Sequence, residues 1–199
     1  MTVVALLRHA ETAWNAEGRI QGQTDVPLSD AGRAAARATK LPAACRGMRV
    51  VTSPLLRCVE TAALLGFPNA PREPRLMEMD WGAWQGGLLK DLRESLGQSF
   101  RENEDRGLDF RPPGGESPRD VMRRASAWLK EQREPTLAIT HRGVIRVVLA
   151  AATGWDMLGR PPAKLDRAAV QLFEVDGRAN IRVKQLNVSG SVSDPELRE

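Results

Sequence analysis

The chain contains two histidines, His9 and His141, and both follow the same kind of segment. His9 comes after the apolar run Val3-Val4-Ala5-Leu6-Leu7, with Arg8 between. His141 comes after Leu137-Ala138-Ile139-Thr140 and precedes Arg142-Gly143. Short runs rich in β-branched and aliphatic residues read as buried strands. Each imidazole then stands at the carboxyl end of its strand, where open α/β sheets place their ligand sites. Two imidazoles with arginines beside them at one sheet edge suggest phosphate chemistry. The alternative is two unrelated histidines satisfied in the core, and the matched settings weigh against it.

The elements that must position these residues alternate between strand-like and helix-like segments, which argues α/β with a largely parallel sheet. A first strand covers about Val3 to Leu7, followed by a polar loop from Ala10 to Leu28. Ser29 reads as the N-cap of an alanine-rich helix over Asp30 to Ala38. Arg49 to Thr52 reads as a second strand. Ser53-Pro54 then reads as a cap with proline at the first helical position, opening a helix that ends near Gly66. Ser117-Pro118 repeats that signal before Val121, Met122, Ala125, Trp128 and Leu129, which share one helical face. The strand before His141 leads into an apolar helix from Val144 to Ala152, ended by Gly154. Val170 to Val175 and Ile181 to Leu186 form a closing hairpin around an Asp176-Gly177 turn that extends to Asn180.

The segment from Pro68 to Glu116 is rich in charge, Gly and Pro. It is expected to hold a short strand at Arg75 to Glu78 and a helix from about Leu88 to Phe100, and to act as a cap over a site. The expected organisation is one domain over residues 1–188, with the cap inserted at about 68–116. A polar tail over 189–199 is expected to be disordered.

Composition excludes several classes. No apolar run approaches the roughly 18 residues of a membrane span, and the first residues lack a secretory pattern, so a cytoplasmic protein is expected. Cys45 and Cys58 form no CxxC pair and imply neither a disulfide scaffold nor a zinc site. The formal net charge is +4, with 29 Lys and Arg against 25 Asp and Glu. The arginines interleave with acids, and no basic run carries aromatics, so nucleic acid is not an expected partner.

The residues around the first histidine, Leu7-Arg8-His9-Ala10-Glu11-Thr12-Ala13-Trp14-Asn15, resemble the opening signature of the histidine phosphatase superfamily, the phosphoglycerate-mutase-like proteins. The likeness continues in Arg19-Ile20-Gln21-Gly22-Gln23-Thr24-Asp25, Ser53-Pro54-Leu55-Leu56-Arg57, Leu76-Met77-Glu78 through Gly86, Pro113-Gly114-Gly115-Glu116-Ser117, and Thr140-His141-Arg142-Gly143. These blocks stand in the family's order. The resemblance implies a three-layer α/β/α fold with a mostly parallel central sheet, an antiparallel edge strand or hairpin near the C-terminus, and a small inserted cap. It implies His9 as the nucleophile that forms a phosphohistidine, a neutral imidazole being unrepelled by a phosphomonoester dianion. Arg8 and Arg57 would favour the neutral imidazole and neutralise phosphoryl oxygens. His141 would donate to the phosphoryl group, and Asn15 would add a neutral donor. Gln21 and Gly22 fall in the matching substrate loop. Glu78 matches the acid position: general acid for the leaving alkoxide, then base for the hydrolytic water. The resemblance implies no metal and no cofactor.

Three departures from the family pattern stand out. Ala10 replaces the glycine after the first histidine, and Gln85 replaces a glutamate of the acid loop. Arg142 occupies the first of two glycines usual after the second histidine; it could point into the site, binding phosphate or a second anion, or to solvent. Mutases of the family tend to carry arginine directly after the acid, where this chain has Met79. The expected activity is therefore hydrolysis of small phosphomonoesters, with a cofactor-dependent phosphoglycerate mutase as the alternative. A non-enzymatic phosphate or partner binder would have lost one of His9, Arg57, Glu78 or His141. Partners are expected to be a small phosphorylated metabolite, with a homodimer possible. Arg93, Arg101, Arg106 and Arg111 could meet a second anionic group on the substrate or be solvated.

Overall fold

The computed structural model describes residues 1–178 and 180–190. Its centre is one five-stranded sheet. Strands β1 (Thr2–Arg8), β2 (Arg49–Thr52) and β3 (Thr136–Thr140) are parallel, and β4 (Val170–Val175) and β5 (Ile181–Val188) run antiparallel at one side. The spatial order is β2-β3-β1-β4-β5. Side chains alternate across the sheet. Val4, Leu6, Ala138 and Phe173 face helices α5 (Pro118–Lys130) and α6 (Arg142–Thr153), while Ala5, Leu7, Leu137, Ile139 and Leu172 face α3 (Leu56–Leu64). Helix α2 (Asp30–Ala38) packs on α3. Helices on both faces explain why β1 and β3 are continuously apolar rather than alternating.

Several local signals act as read. Ser29 caps α2 by accepting from Gly32 N, and Ser117 with Asp120 forms a capping box on α5 behind Pro118. Gly154, at φ +74°, ends α6 in the left-handed region. The closing hairpin forms as expected, with β5 reaching Val188.

Two element readings are corrected. Arg75 to Glu78 is not a strand: Pro74–Leu76 form a 3₁₀ turn in which the Glu73 carboxylate accepts from Arg75 N. Proline supplies no ladder donor there, and the local carboxylate satisfies the backbone instead. Ser53-Pro54 does not cap α3, whose N-cap is Leu55 without a side-chain bond. The Ser53 hydroxyl accepts from Leu55 N, one residue before the helix, at 3.4 Å, and meets the His141 ring at 2.8 Å. The middle helix, α4, spans Leu89–Glu104 and is broken at Gly97 (φ +51°, ψ −118°). A four-residue helix, α1 (Ala13–Ala16), interrupts the first loop. The expectation of a disordered tail falls largely on 191–199, outside the described residues. Among the described residues no helix is long and apolar enough to cross a membrane.

Candidate active site

Three parallel strands end side by side, and the residue after each end is polar. Ser53 follows β2, His141 follows β3 and His9 follows β1, so the order β2-β3-β1 lines them up as Ser53, His141, His9. Register enforces the meeting. Arg8 pairs with Thr140 across β1 and β3, and His9 N donates to Thr140 O at 2.9 Å. The two imidazole centroids lie 5.2 Å apart.

Hydrogen bonds assign the proton on each ring. His9 Nδ1 lies 2.7 Å from Ala10 O, which can only accept, so Nδ1 carries the hydrogen and Nε2 the lone pair. That Nε2 makes no hydrogen bond among the described residues. His141 Nδ1 accepts from Arg57 Nε at 3.3 Å, so its Nε2 carries the hydrogen and donates to Ser53 Oγ at 2.8 Å. Both rings are held well below the usual histidine range, by burial first and by the Arg57 guanidinium next. Both are therefore neutral at physiological pH.

The arginines differ in their contacts. Arg57 is fully buried at the first turn of α3. Besides His141 it donates to Thr24 O (2.9 Å) and Gly22 O (2.7 Å). The fork thus grips the Gln21–Thr24 loop and leaves one N–H on each terminal nitrogen. Gly22, at φ +53°, suits that sharp loop. Arg8, half-buried at the end of β1, has its Nε sequestered without a partner. Burial, then Arg167, pull its pKa down to about 10. An unpaired guanidinium in such a place favours an anion. His9 and Arg8 open onto a cavity of about 290 Å³ shared with Arg167, which pairs with Glu11.

Glu78 is held by backbone: Met79 N donates to Oε1 at 2.9 Å and Gly143 N to Oε2 at 3.2 Å. A Cβ at position 143 would fall on the Glu78 carboxylate, so the second glycine of the family pair lets the acid keep this place. Position 142 is exposed and free to carry arginine. Glu78 opens onto a larger cavity of about 610 Å³, with Arg142 and Arg146. Asn15 is the third residue of α1, and its Oδ1 accepts from Thr12 N to complete a capping box. Gln21 Oε1 is buried without a partner. Gln85 Oε1 accepts from Gln23 N (2.5 Å) and Thr24 N (3.2 Å), pinning the loop that Arg57 also holds.

Sequence reading missed some supports. Ser53 was taken up by the cap-plus-proline pattern, although its place one residue past a strand matched His9 and His141. Arg124 donates to Arg75 O and Glu78 O and pairs with Glu116 at 2.9 Å, while Glu116 accepts from Asp80 N. This pair clamps the loop carrying Glu78 from both sides. Thr61 accepts from Ala10 N and donates to Arg57 O, tying the His9 loop to α3. Cys58, fully buried beside His141, has its thiol pushed up by burial and is not a thiolate. Of the four arginines that could meet a second anionic group or be solvated, Arg93 pairs with Glu104 and Arg111 with Asp120, and Arg106 lies near Asn103. Arg101 is exposed.

The chain belongs to the histidine phosphatase superfamily: the profile of its branch 1 matches residues 4–189. It is 29% identical to phosphoserine phosphatase 1 of Hydrogenobacter thermophilus over 200 residues, covering 95% of this chain and 93% of that protein. It is 32% identical to the 2,3-bisphosphoglycerate-dependent phosphoglycerate mutase 2 of Gloeobacter violaceus over 163 residues, covering 75% and 74%. Among solved structures it superposes on a mycobacterial glucosyl-3-phosphoglycerate phosphatase complexed with VO3, with a TM-score of 0.74 and 26% identity, covering 95% of this chain and 100% of that one. Phosphatases and mutases thus both stand among its relatives.

Proposed function

We propose that the protein is a phosphatase that hydrolyses small phosphomonoesters through a phosphohistidine on His9, using arginines rather than a metal as its cations. The observation that carries this reading is the bare Nε2 of a neutral His9 beside the unpartnered guanidinium of Arg8. In the first step the Nε2 lone pair attacks phosphorus, the P–O bond to the alcohol breaks, and Glu78 gives its proton to the departing oxygen. In the second, Glu78 takes a proton from water, whose oxygen attacks phosphorus and releases His9 with inorganic phosphate. Arg8 and the spare N–H groups of Arg57 meet the equatorial oxygens. His141 stands 5.2 Å from His9 by ring centroids and shares that task once its Nε2 hydrogen turns from Ser53 Oγ to a phosphoryl oxygen.

Hydrolysis is favoured over mutase transfer by Met79. The position directly after the acid is apolar and buried, so it offers no cation to a substrate carboxylate. The phosphoserine phosphatase and glucosyl-3-phosphoglycerate phosphatase relatives support the same reading.

The test is phosphate release from a panel of phosphomonoesters, with His9→Ala as control. Wild type should release phosphate and hold an acid-labile phosphoryl label. His9→Ala should lose both, with turnover down by at least about 10³-fold. Retained turnover in His9→Ala would sink the phosphohistidine route. Interconversion of 2- and 3-phosphoglycerate without phosphate release would make the protein a mutase.

A further inference from the structure

Arg142 and Arg146 stand one turn apart on the first half of α6, and both line the 610 Å³ cavity onto which Glu78 opens. Most partly buried arginines of this chain are matched by carboxylates: Arg75 by Glu73 and Glu131, Arg124 by Glu116. These two are not. Among the described residues no hydrogen-bond acceptor engages either guanidinium. The Arg146 Nε is sequestered without a partner, and its guanidinium stacks 5.1 Å over the Trp155 ring. Like charges at this helical spacing repel. An unpartnered buried guanidinium N–H is costly to leave unmet. An anion that bridges the pair relieves the repulsion and gives the terminal nitrogens of both guanidinium groups an acceptor.

The cavity supplies the rest of a ligand site. Its volume is that of small-molecule pockets, and Trp81, Phe110 and Met157 form an apolar wall. Of its other charged groups, Glu104 pairs with Arg93, and Asp105, the C-cap of α4, adds one exposed carboxylate to the rim. Glu78, the remaining carboxylate, is held by Met79 N and by Gly143 N, whose missing side chain lets α6 approach the acid. Arg142 directly follows His141, and the next residue, Gly143, donates its N–H to Glu78 Oε2, which places the start of α6 beside the phosphoryl site rather than on a remote face.

We propose that Arg142 and Arg146 form a second anion subsite, selecting phosphomonoesters that carry a further carboxylate or phosphate on an apolar body. This deepens the phosphatase reading and rests on it for turnover, but not for binding. The experiment compares phenyl phosphate, 4-carboxyphenyl phosphate and the bisphosphate of benzene-1,4-diol as substrates of wild type, Arg142→Met and Arg146→Lys. Wild type should prefer the doubly anionic esters through a lower KM. Arg142→Met should cut the ratio of kcat/KM, charged over parent ester, about tenfold, a loss of one charge-assisted contact. The carboxylate and phosphate arms show which anion fits better. Arg146→Lys keeps the charge and should retain most of the preference, guarding against a variant that fails to fold. A wild type without preference, or an Arg142→Met enzyme whose rates fall equally on all three esters, would overturn the subsite. Equilibrium binding of phenylphosphonate and 4-carboxyphenylphosphonate separates the two claims. A carboxylate preference in binding, lost in Arg142→Met, in a protein that releases no phosphate would keep the subsite and reject the phosphatase.

Discussion

Each imidazole here is oriented by one oxygen. Ala10 O fixes the tautomer of His9, and Ser53 Oγ receives the Nε2 hydrogen of His141. The two contacts are not equivalent, because a backbone carbonyl cannot be mutated away whereas a hydroxyl can. Ser53→Ala should leave the buried His141 donor unmet, costing about 1–3 kcal/mol of stability. If the hydroxyl also positions the ring, kcat should fall about tenfold with little change in KM, and Ser53→Thr should recover part of it. Loss of stability with kcat intact would assign Ser53 a purely structural part. His9, Arg8, Arg57 and His141 sit at fixed offsets from a strand or helix end, whereas Glu78, in an irregular loop, is legible only through the family motif. Ser53 was misread because serine before proline is also the signature of a helix start, and only the strand order shows which oxygen it faces.

At the scale of elements, the loop carrying Glu78 has no regular structure of its own. Its carbonyl at 78 and amide at 80 are met by Arg124 from α5 and by Glu116 just before it. The capping box of Ser117 and Asp120 fixes where α5 begins and therefore where Arg124 projects. Arg124→Met should strand the Glu116 carboxylate and lower stability by about 1–2 kcal/mol, the pair being partly exposed. It should also lower kcat by loosening the acid. The double variant Arg124→Met with Glu116→Gln should cost less than the sum of the singles, which a double-mutant cycle in urea would read. Additive losses would mean that the two groups act on the loop independently. The expected strand at Arg75 to Glu78 failed for the same reason that the clamp exists. A segment held by side chains from distant elements needs no ladder, and propensity within the segment is silent about such partners.

For the whole molecule, burying two neutral histidines has a pH cost that can be read cleanly, since the chain has no others. Both are depressed in the folded state relative to an ordinary value of 6.5. The unfolded chain therefore binds more protons as the pH falls. The stability that depends on their neutrality is complete above about pH 6.5 and is lost as the pH drops from there toward the folded values. The slope should reach about 1.4 kcal/mol per pH unit for each histidine. Urea midpoints should fall between about pH 6.5 and 5, and His9→Asn should roughly halve the slope. A midpoint independent of pH across that window would contradict neutral burial. On activity, the same depression keeps the acid limb of kcat/KM below pH 6.5 as far as His9 governs it.

By itself the sequence determined the layered α/β plan, the strand-end placement of both histidines and the family motifs, because periodicity and cap chemistry act over a few neighbouring residues. The tertiary structure alone decided that β3 inserts between β2 and β1, which sets Ser53, His141 and His9 in one row. It also decided that Arg57 spends three donors on His141 and the Gly22 loop, that Gly143 makes way for Glu78, and that Arg142 faces a cavity beside an unpartnered Arg146. These facts join residues separated by tens of positions. Their cause is which surfaces the sheet order brings together and which polar groups are then left to pair, and no local pattern encodes that.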